Sequence, residues 1–300
     1  MAGVTLCEPT ELYNLLNQST KISRLAEPNY LCLLDARTKR EYNESHLMTA
    51  LRVKTNPLGK YLVPESINLE CVRYCVVYDG KTETVDAAFD MDYDLLEVDT
   101  ELTRIIPLFL KTKKAGIMQR LTRFPVMVLR GGYERFTTSY HYLRTQKIFW
   151  MPQELEAFKT YPVEILPAKL YMGNYKQACD SQIQKDLKIK AHINISDRLF
   201  FPSFLEDREK LLHIPIPDSL EADLFSHFVN ICHFIGKCLG LFSNIFPAPE
   251  LLYLSSQNAW NFVQKCKNNI RPNRAFVKQL SDWEQRFYIT AITDISEPNY

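Results

Sequence analysis

The feature that most constrains this fold is a strand, a tight turn, a helix and a further strand that follow one another within residues 163–196. The first strand ends at Pro167, because proline has no N–H to donate to a neighbouring strand. Asp180 is placed to cap a helix over residues 181–187, where apolar residues recur at helical spacing. An alternating strand, residues 191–195, follows. Strands that alternate with helices predict an α/β fold with a parallel sheet.

The first half of the chain repeats this alternation. A helix opens at Pro9, and apolar runs at residues 30–35 and 74–78 predict buried strands. A chain of 300 residues is long enough for about two domains. We therefore predict a first domain over residues 1–147, a linker over residues 148–160 that contains Trp150 and Pro152, and a second domain over residues 161–300.

The composition excludes several classes of protein. Apolar residues make up 46% of the chain, and 36 Lys and Arg nearly balance 35 Asp and Glu, so nothing indicates binding to nucleic acid or to an anionic membrane. No run approaches the ~18 apolar residues that a membrane helix needs. The N-terminus has acidic residues and no early base, which is not typical of a leader sequence. We expect a cytoplasmic protein, with a mitochondrial location, without a visible presequence, as the alternative.

The cysteines are scattered, and none is spaced as Cys-x-x-Cys. They are Cys7, Cys32, Cys71, Cys75, Cys179, Cys232, Cys238 and Cys266. Most lie within apolar runs, which favours reduced, partly buried thiols over a disulfide framework or a metal site. We predict no cofactor and no metal.

The second half resembles the opening of the dual-specificity protein phosphatase domain. The matching positions are Ile165, Pro167, Leu170, Tyr171, Gly173, Ala178 and Asp180. The resemblance implies a dual-specificity phosphatase-like α/β domain.

The first half resembles the rhodanese domain. The matching positions are Asp35, Arg37, Glu41, Tyr42, His46, Ala50 and Val53. The resemblance implies a parallel sheet with flanking helices, in which Asp35 and Arg37 tie a strand end to the following helix.

Asp79 stands where a rhodanese has its nucleophilic cysteine, at the start of the loop after the strand over residues 74–78. A carboxylate cannot carry a sulfane sulfur, so this resemblance implies an inactive rhodanese-like domain. Cys75, inside that strand, is the alternative nucleophile. An aspartate at this position, together with residues 124–140, resembles the domain that precedes the catalytic domain of MAP kinase phosphatases.

Two charged segments follow the early strands. That subgroup docks its kinase through consecutive arginines, whereas residues 54–60 offer only isolated lysines around a proline, a weaker ligand for an acidic groove. Docking to a MAP kinase is therefore doubtful. Residues 83–101 carry acidic side chains and no base, which predicts a solvated insertion, with a calcium loop as the less favoured alternative.

Asp218 stands at the general-acid position of the phosphatase family, after an apolar strand over residues 211–216. The alternative, which we favour, is a simple turn or a helix cap. The family also needs a Cys-x5-Arg loop that cradles phosphate, and no cysteine of this chain has an arginine six positions on.

The interval that should hold this loop is also short. Only residues 236–259 separate Ile235 from Trp260, whereas a strand, the loop, a helix and a connection need about 31 residues. Pro247 and Pro249 interrupt it. We expect a truncated domain that lacks the phosphate-binding loop, with residues 239–246 as its central strand.

These observations predict a catalytically inactive pseudophosphatase related to the MAP kinase phosphatases, in which Asp218 and Asp79 are vestigial. We expect it to bind other proteins, namely phosphatases or signalling proteins, as a regulator or scaffold of phosphatase and stress or MAP kinase signalling. The alternatives are a weak sulfurtransferase that uses Cys75, and an unstable splice-type variant without a function of its own.

Overall fold

A computed structural model describes residues 4–55, 61–62, 68–84, 123–149, 151–198, 208–240 and 256–286. The chain divides into two compact units, Met1–Thr160 and Tyr161–Tyr300. Three predicted features lie mostly or wholly outside the described residues: the docking segment beyond residue 55, the acidic insertion beyond residue 84, and the central strand beyond residue 240.

The first unit has the strands β1 (Val4–Cys7), β2 (Leu31–Asp35), β3 (His46–Leu47), β4 (Leu51–Arg52), β5 (Lys54–Thr55), β6 (Tyr61–Leu62), β7 (Tyr74–Tyr78), β8 (Val126–Leu129) and β9 (Arg144–Thr145). Five of them form a parallel sheet in the order β1-β8-β7-β2-β4. The helices of the unit are α1 (Pro9–Leu16), α2 (Lys39–Glu44), α3 (Gly132–Ser139) and α4 (Pro152–Glu156), with 3-10 turns at Arg24–Ala26 and His141–Leu143. Strands β3 and β9, and β5 and β6, form antiparallel pairs.

Local sequence explains these elements. Strands β2 and β7 read as unbroken apolar runs because a parallel sheet is covered on both faces, and Leu34 and Val77 are fully buried. Helix α2 begins at a capping box, in which the Thr38 hydroxyl accepts from the Glu41 N–H and the Glu41 carboxylate accepts from the Thr38 N–H. Helix α2 therefore has a defined start at Thr38.

The segment predicted as a linker is partly helical. Helix α4 occupies Pro152–Glu156, and it lies against the 3-10 turn at Arg24–Ala26 of the same unit. Lys147 forms an ion pair with Glu154 at 2.8 Å. The boundary between the two compact units falls between Thr160 and Tyr161. The predicted end of the first domain at residue 147 and the linker over residues 148–160 stay predictions.

The second unit combines an antiparallel hairpin with a parallel strand pair. Its elements are β10 (Val163–Leu166), β11 (Leu170–Met172), α5 (Tyr175–Cys179), α6 (Ser181–Asp186), β12 (His192–Ile195), β13 (Leu211–Ile214), α7 (Phe228–Cys238), α8 (Ser256–Cys266) and α9 (Arg274–Glu284), with 3-10 turns at Arg208–Lys210 and Phe225–His227. Strands β10 and β11 pair antiparallel, and β12 and β13 pair parallel.

Capping chemistry again sets the helix starts. Asp180 Oδ1 accepts from the N–H groups of Gln182 and Ile183, as the sequence predicts for α6. The mixed α/β class of the prediction is confirmed. No helix among the described residues is long and apolar enough to cross a membrane.

Candidate functional site

The carboxyl ends of the parallel strands in the first unit meet at one edge of the sheet, which is where α/β folds place their sites. Strand β2 ends at Asp35 and β7 ends at Tyr78, and the two residues are partners in the strand register. Both side chains are fully buried. This edge therefore starts from a buried carboxylate beside a buried phenol.

Asp35 is the centre of a buried hydrogen-bond network. Arg37 donates to both of its carboxylate oxygens, through Nε at 3.0 Å and through Nη2 at 2.6 Å. The Tyr78 hydroxyl donates to Oδ2 at 2.7 Å and accepts from the N–H of Leu47 at 3.1 Å. Burial, and then the Asp35 charge, raise the pKa of Tyr78, so it stays a neutral donor.

Arg37 links this network to the rest of the edge. Its Nη2 also donates to the carbonyl of Ser45 at 2.7 Å, and its guanidinium lies 3.7 Å from the centre of the Tyr133 ring. Asp35 and Arg37 thus join β2, α2 and α3. Their expected role of tying the strand end to the helix agrees with these contacts.

Asp79 holds the loop that follows β7. Its Oδ1 accepts from the N–H groups of Lys81 at 3.0 Å and Thr82 at 2.9 Å, and its Oδ2 accepts from the Thr82 hydroxyl at 2.6 Å. A carboxylate that bonds to backbone groups two and three residues on is a turn-forming Asp. Asp79, the residue expected at the position of a rhodanese nucleophile, therefore fixes the conformation of this loop.

The same loop covers the start of helix α3. The N–H groups of Tyr133 and Glu134 donate to the carbonyls of Asp79 at 2.8 Å and Gly80 at 3.0 Å. Gly132 has a φ of +53°, and a Cβ there would lie 2.5 Å from the Asp79 carbonyl oxygen. Two N–H groups of this helix start, which could otherwise bind an anion, are thus used by the loop itself.

Cys75 lies away from this edge. It is the register partner of Cys32 on the neighbouring strand, and both side chains are buried in the core of the unit. A hydrogen bond with Cys75 and burial raise the pKa of the Cys32 thiol. These surroundings favour inert core thiols over a sulfur-carrying nucleophile.

The second unit has a polar edge of its own, at the carboxyl ends of β12 and β13. Nε2 of His213 lies 3.0 Å from the carbonyl of Ser196, and the Ser196 hydroxyl donates to Asn194 at 2.8 Å. Asp218 follows β13 by four residues, is exposed, and accepts from the amide of Asn273 at 3.3 Å. The sequence reasoning named Asp218 and missed His213.

Asp223, five residues after Asp218, holds the turn that precedes α7. Asp223 accepts from the Ser226 hydroxyl at 2.7 Å and from the Ser226 N–H at 3.2 Å, immediately before the turn that leads into α7. These hydrogen bonds lower the pKa of Asp223. Residues 218–221 form a bend and a turn, and Asp223 rather than Asp218 bonds to the segment that leads into α7, so the role of Asp218 stays a prediction. Among the described residues, no cluster of His, Cys, Asp and Glu is arranged to hold a metal ion.

Known proteins similar to this chain are protein phosphatases by name. Dual specificity protein phosphatase Mpk3 of Drosophila melanogaster is 33% identical over 144 residues, 42% of this chain and 34% of that protein. A probable rhodanese domain-containing dual specificity protein phosphatase of Dictyostelium discoideum is 21% identical over 340 aligned positions, 92% of this chain and 68% of that protein. Dual specificity protein phosphatase 4 of Gallus gallus is 23% identical over 308 positions, 86% of this chain and 77% of that protein. No protein-family model matches.

These similarities correct one prediction. The prediction that the chain is not an enzyme is contradicted, because the relatives are named as dual specificity phosphatases, and another relative is a tyrosine-protein phosphatase of Caenorhabditis elegans. The prediction relied on the missing Cys-x5-Arg spacing. This absence excludes one kind of nucleophile loop, and it does not exclude enzymatic activity as such. The alignment spans only about a third of the Drosophila relative.

Proposed function

We infer that the chain is a MAP kinase phosphatase-like protein, in which a rhodanese-like unit precedes a dual-specificity phosphatase-like unit, and that it regulates phosphatase and MAP kinase signalling by binding other proteins. Its partners are phosphatases or signalling proteins, and the rhodanese-like unit is the main binding module.

The observation that carries this proposal is the loop that Asp79 holds. Both carboxylate oxygens of Asp79 bond to the loop, and the loop's carbonyls take up two N–H groups at the start of α3. A rhodanese-type site needs an open cradle with a thiolate at this position. A unit that keeps the fold, and uses this position to stabilise its own loop, is suited to contacts between proteins.

A sulfurtransferase is less well supported. Cys75 is 3% exposed, inside β7 and beside Cys32, so a sulfur donor in solution has no direct approach to its thiol. Sulfur transfer from thiosulfate that disappears in Cys75→Ser would reverse this ranking.

In the second unit we propose that the edge formed by β12 and β13, which carries Asp218, also faces the partner. Asp218 is exposed, and the neighbouring Leu220 is 72% exposed although it is apolar. Side chains of this kind on a loop are accessible to a partner.

The proposal is tested by immobilising the full-length protein and measuring its affinity for a panel of purified proteins. The panel consists of MAP kinases, each in unphosphorylated and phosphorylated form, and of dual-specificity phosphatases. We expect at least one partner to bind with a Kd of about 1 μM or tighter, which is about −8 kcal/mol. No binding to any member at about 100 μM would reject the proposal.

Two variants refine this experiment. Asp218→Ala should weaken binding if the second unit contributes to the interface, whereas Asp282→Ala, which removes another exposed carboxylate from the same unit, should not. The same preparation is assayed for hydrolysis of a phosphotyrosine peptide. This assay measures directly whether binding is accompanied by the activity for which the relatives are named.

A further inference from the structure

The side chain of Gln279, on helix α9, makes three hydrogen bonds to backbone groups of the loop that follows Asp218. Its Oε1 accepts from the N–H of Leu224 at 2.7 Å and from the N–H of Phe225 at 2.8 Å. Its Nε2 donates to the carbonyl of Ala222 at 2.8 Å. One amide therefore satisfies two donors and one acceptor of the loop.

The same helix also holds the other end of this loop. Asn273 is the N-cap residue of α9, and its Oδ1 accepts from the N–H of Ala275 at 2.8 Å. Its Nδ2 donates to Asp218 at 3.3 Å. The loop from Asp218 to Phe225 is thus bonded to one helix at both ends, with Gln279 making the shorter and more numerous contacts.

Aromatic packing supports the contact at the Gln279 end. Trp283, one helical turn beyond Gln279, meets Phe225 and Phe228 edge to face, at ring-centre distances of 6.0 and 5.5 Å. The Arg286 guanidinium lies 4.2 Å from the centre of the Phe225 ring. The segment is therefore packed on α9 as well as bonded to it.

We propose that Gln279 is a positioning residue that holds the loop in one conformation and so fixes Asp218 at the carboxyl edge of β12 and β13. Glutamine suits this role because a shorter amide would not reach, and a carboxylate can accept twice but cannot donate to Ala222. The proposal depends on the proposed function in one respect only, namely that this edge faces the partner.

Hydrogen exchange of the full-length protein tests the positioning directly, because two of the three bonds protect individual amides. In Gln279→Leu we expect the N–H groups of Leu224 and Phe225 to exchange at least about tenfold faster than in the wild type. The amides of β13 should be unchanged, and so should both loop amides in the neighbouring surface variant Lys278→Ala. Exchange of Leu224 and Phe225 within about twofold of wild type in Gln279→Leu would overturn the proposal.

A second variant covers the case in which Gln279→Leu does not fold. Gln279→Glu keeps the two acceptor contacts and replaces the donor to Ala222 by a carboxylate oxygen that repels the Ala222 carbonyl. We expect Leu224 and Phe225 to stay protected to within about threefold of wild type. Exchange of both amides as fast as in an unfolded peptide would overturn the proposal.

A double-mutant cycle on partner binding separates positioning from a merely structural effect. If Gln279 acts through Asp218, then Gln279→Leu should weaken binding in the wild type and have little further effect in Asp218→Ala. If the double variant loses affinity by the product of the two single-variant fold-losses, Gln279 does not act through Asp218. If the wild type binds no member of the panel, the proposed function fails, while the exchange experiment still decides the role of Gln279.

Discussion

Replacement of Asp35 by alanine should destabilise the first unit severely. The Asp35 side chain is fully buried and that of Arg37 is 5% exposed, so the change leaves a buried guanidinium without its counter-ion. It also removes the acceptor of the Tyr78 hydroxyl. Breaking a buried ion pair from one side costs about 3–5 kcal/mol, a large part of the ~5–15 kcal/mol that stabilises a domain.

The assay is thermal and chemical unfolding of the full-length protein, with the transition of the first unit followed separately. For a unit of about 160 residues, 1 kcal/mol corresponds to about 2–4 °C, so Asp35→Ala should lower the melting temperature by about 10 °C. The matched control is Arg40→Ala. It removes a similar ion pair, to Glu44 at 3.0 Å, but the Arg40 side chain is 87% exposed and the loss should be at most about 1 kcal/mol.

The comparison between these two variants tests the reasoning. If Asp35→Ala and Arg40→Ala lower the melting temperature by equal, small amounts, the network around Asp35 does not stabilise the strand end. A loss in Asp35→Ala that is restored by also replacing Arg37 with Met would locate the cost in the uncompensated charge.

Three further predictions concern single residues in both units. Gly132→Ala should destabilise the first unit by about 1–3 kcal/mol, because the new Cβ would meet the Asp79 carbonyl and the φ of +53° is unfavourable; unchanged denaturant midpoints would contradict this. Asp79→Ala should raise the exchange rates of the Lys81 and Thr82 amides by about tenfold or more without unfolding the sheet, whereas exposed Glu134→Ala should leave them unchanged. The second unit should melt cooperatively. Its free energy of unfolding should fall as the pH drops below the pKa of an unfolded histidine. Burial lowers the pKa of His192, so folding favours its neutral form and that stability is lost as pH falls through the folded pKa. His192→Gln should reduce this pH dependence, and an equal dependence in the variant would refute the assignment.

Local chemistry made part of this structure predictable. The spacing of nearby residues indicates the buried strands and the Asp180 cap, whereas the role of Asp35 and Arg37 is implied by the resemblance to the rhodanese domain. Asp79 was identified as a non-nucleophile, but the hydrogen bonds to Lys81 and Thr82 were not anticipated, although an Asp followed by Gly is a common turn signal.

The remaining features depend on contacts between distant segments. Glu164 alternates with Val163 and Ile165 and so would be expected to face solvent, yet it is 1% exposed because it accepts from the Ala168 N–H and the Tyr171 hydroxyl. The bonds of Gln279 cross more than 50 positions of sequence. The pairing of Cys32 with Cys75 follows from strand register, which apolar runs alone do not specify.

Hydrogen exchange of the full-length protein, alone and with the tightest-binding member of the panel, tests whether the rhodanese-like unit is the main binding module. We expect slowed exchange in the rhodanese-like unit upon binding, together with an Asp79 loop that is already protected in the free protein. Binding that leaves every amide of Met1–Thr160 unchanged, or a loop at residues 79–82 that exchanges freely, would contradict it.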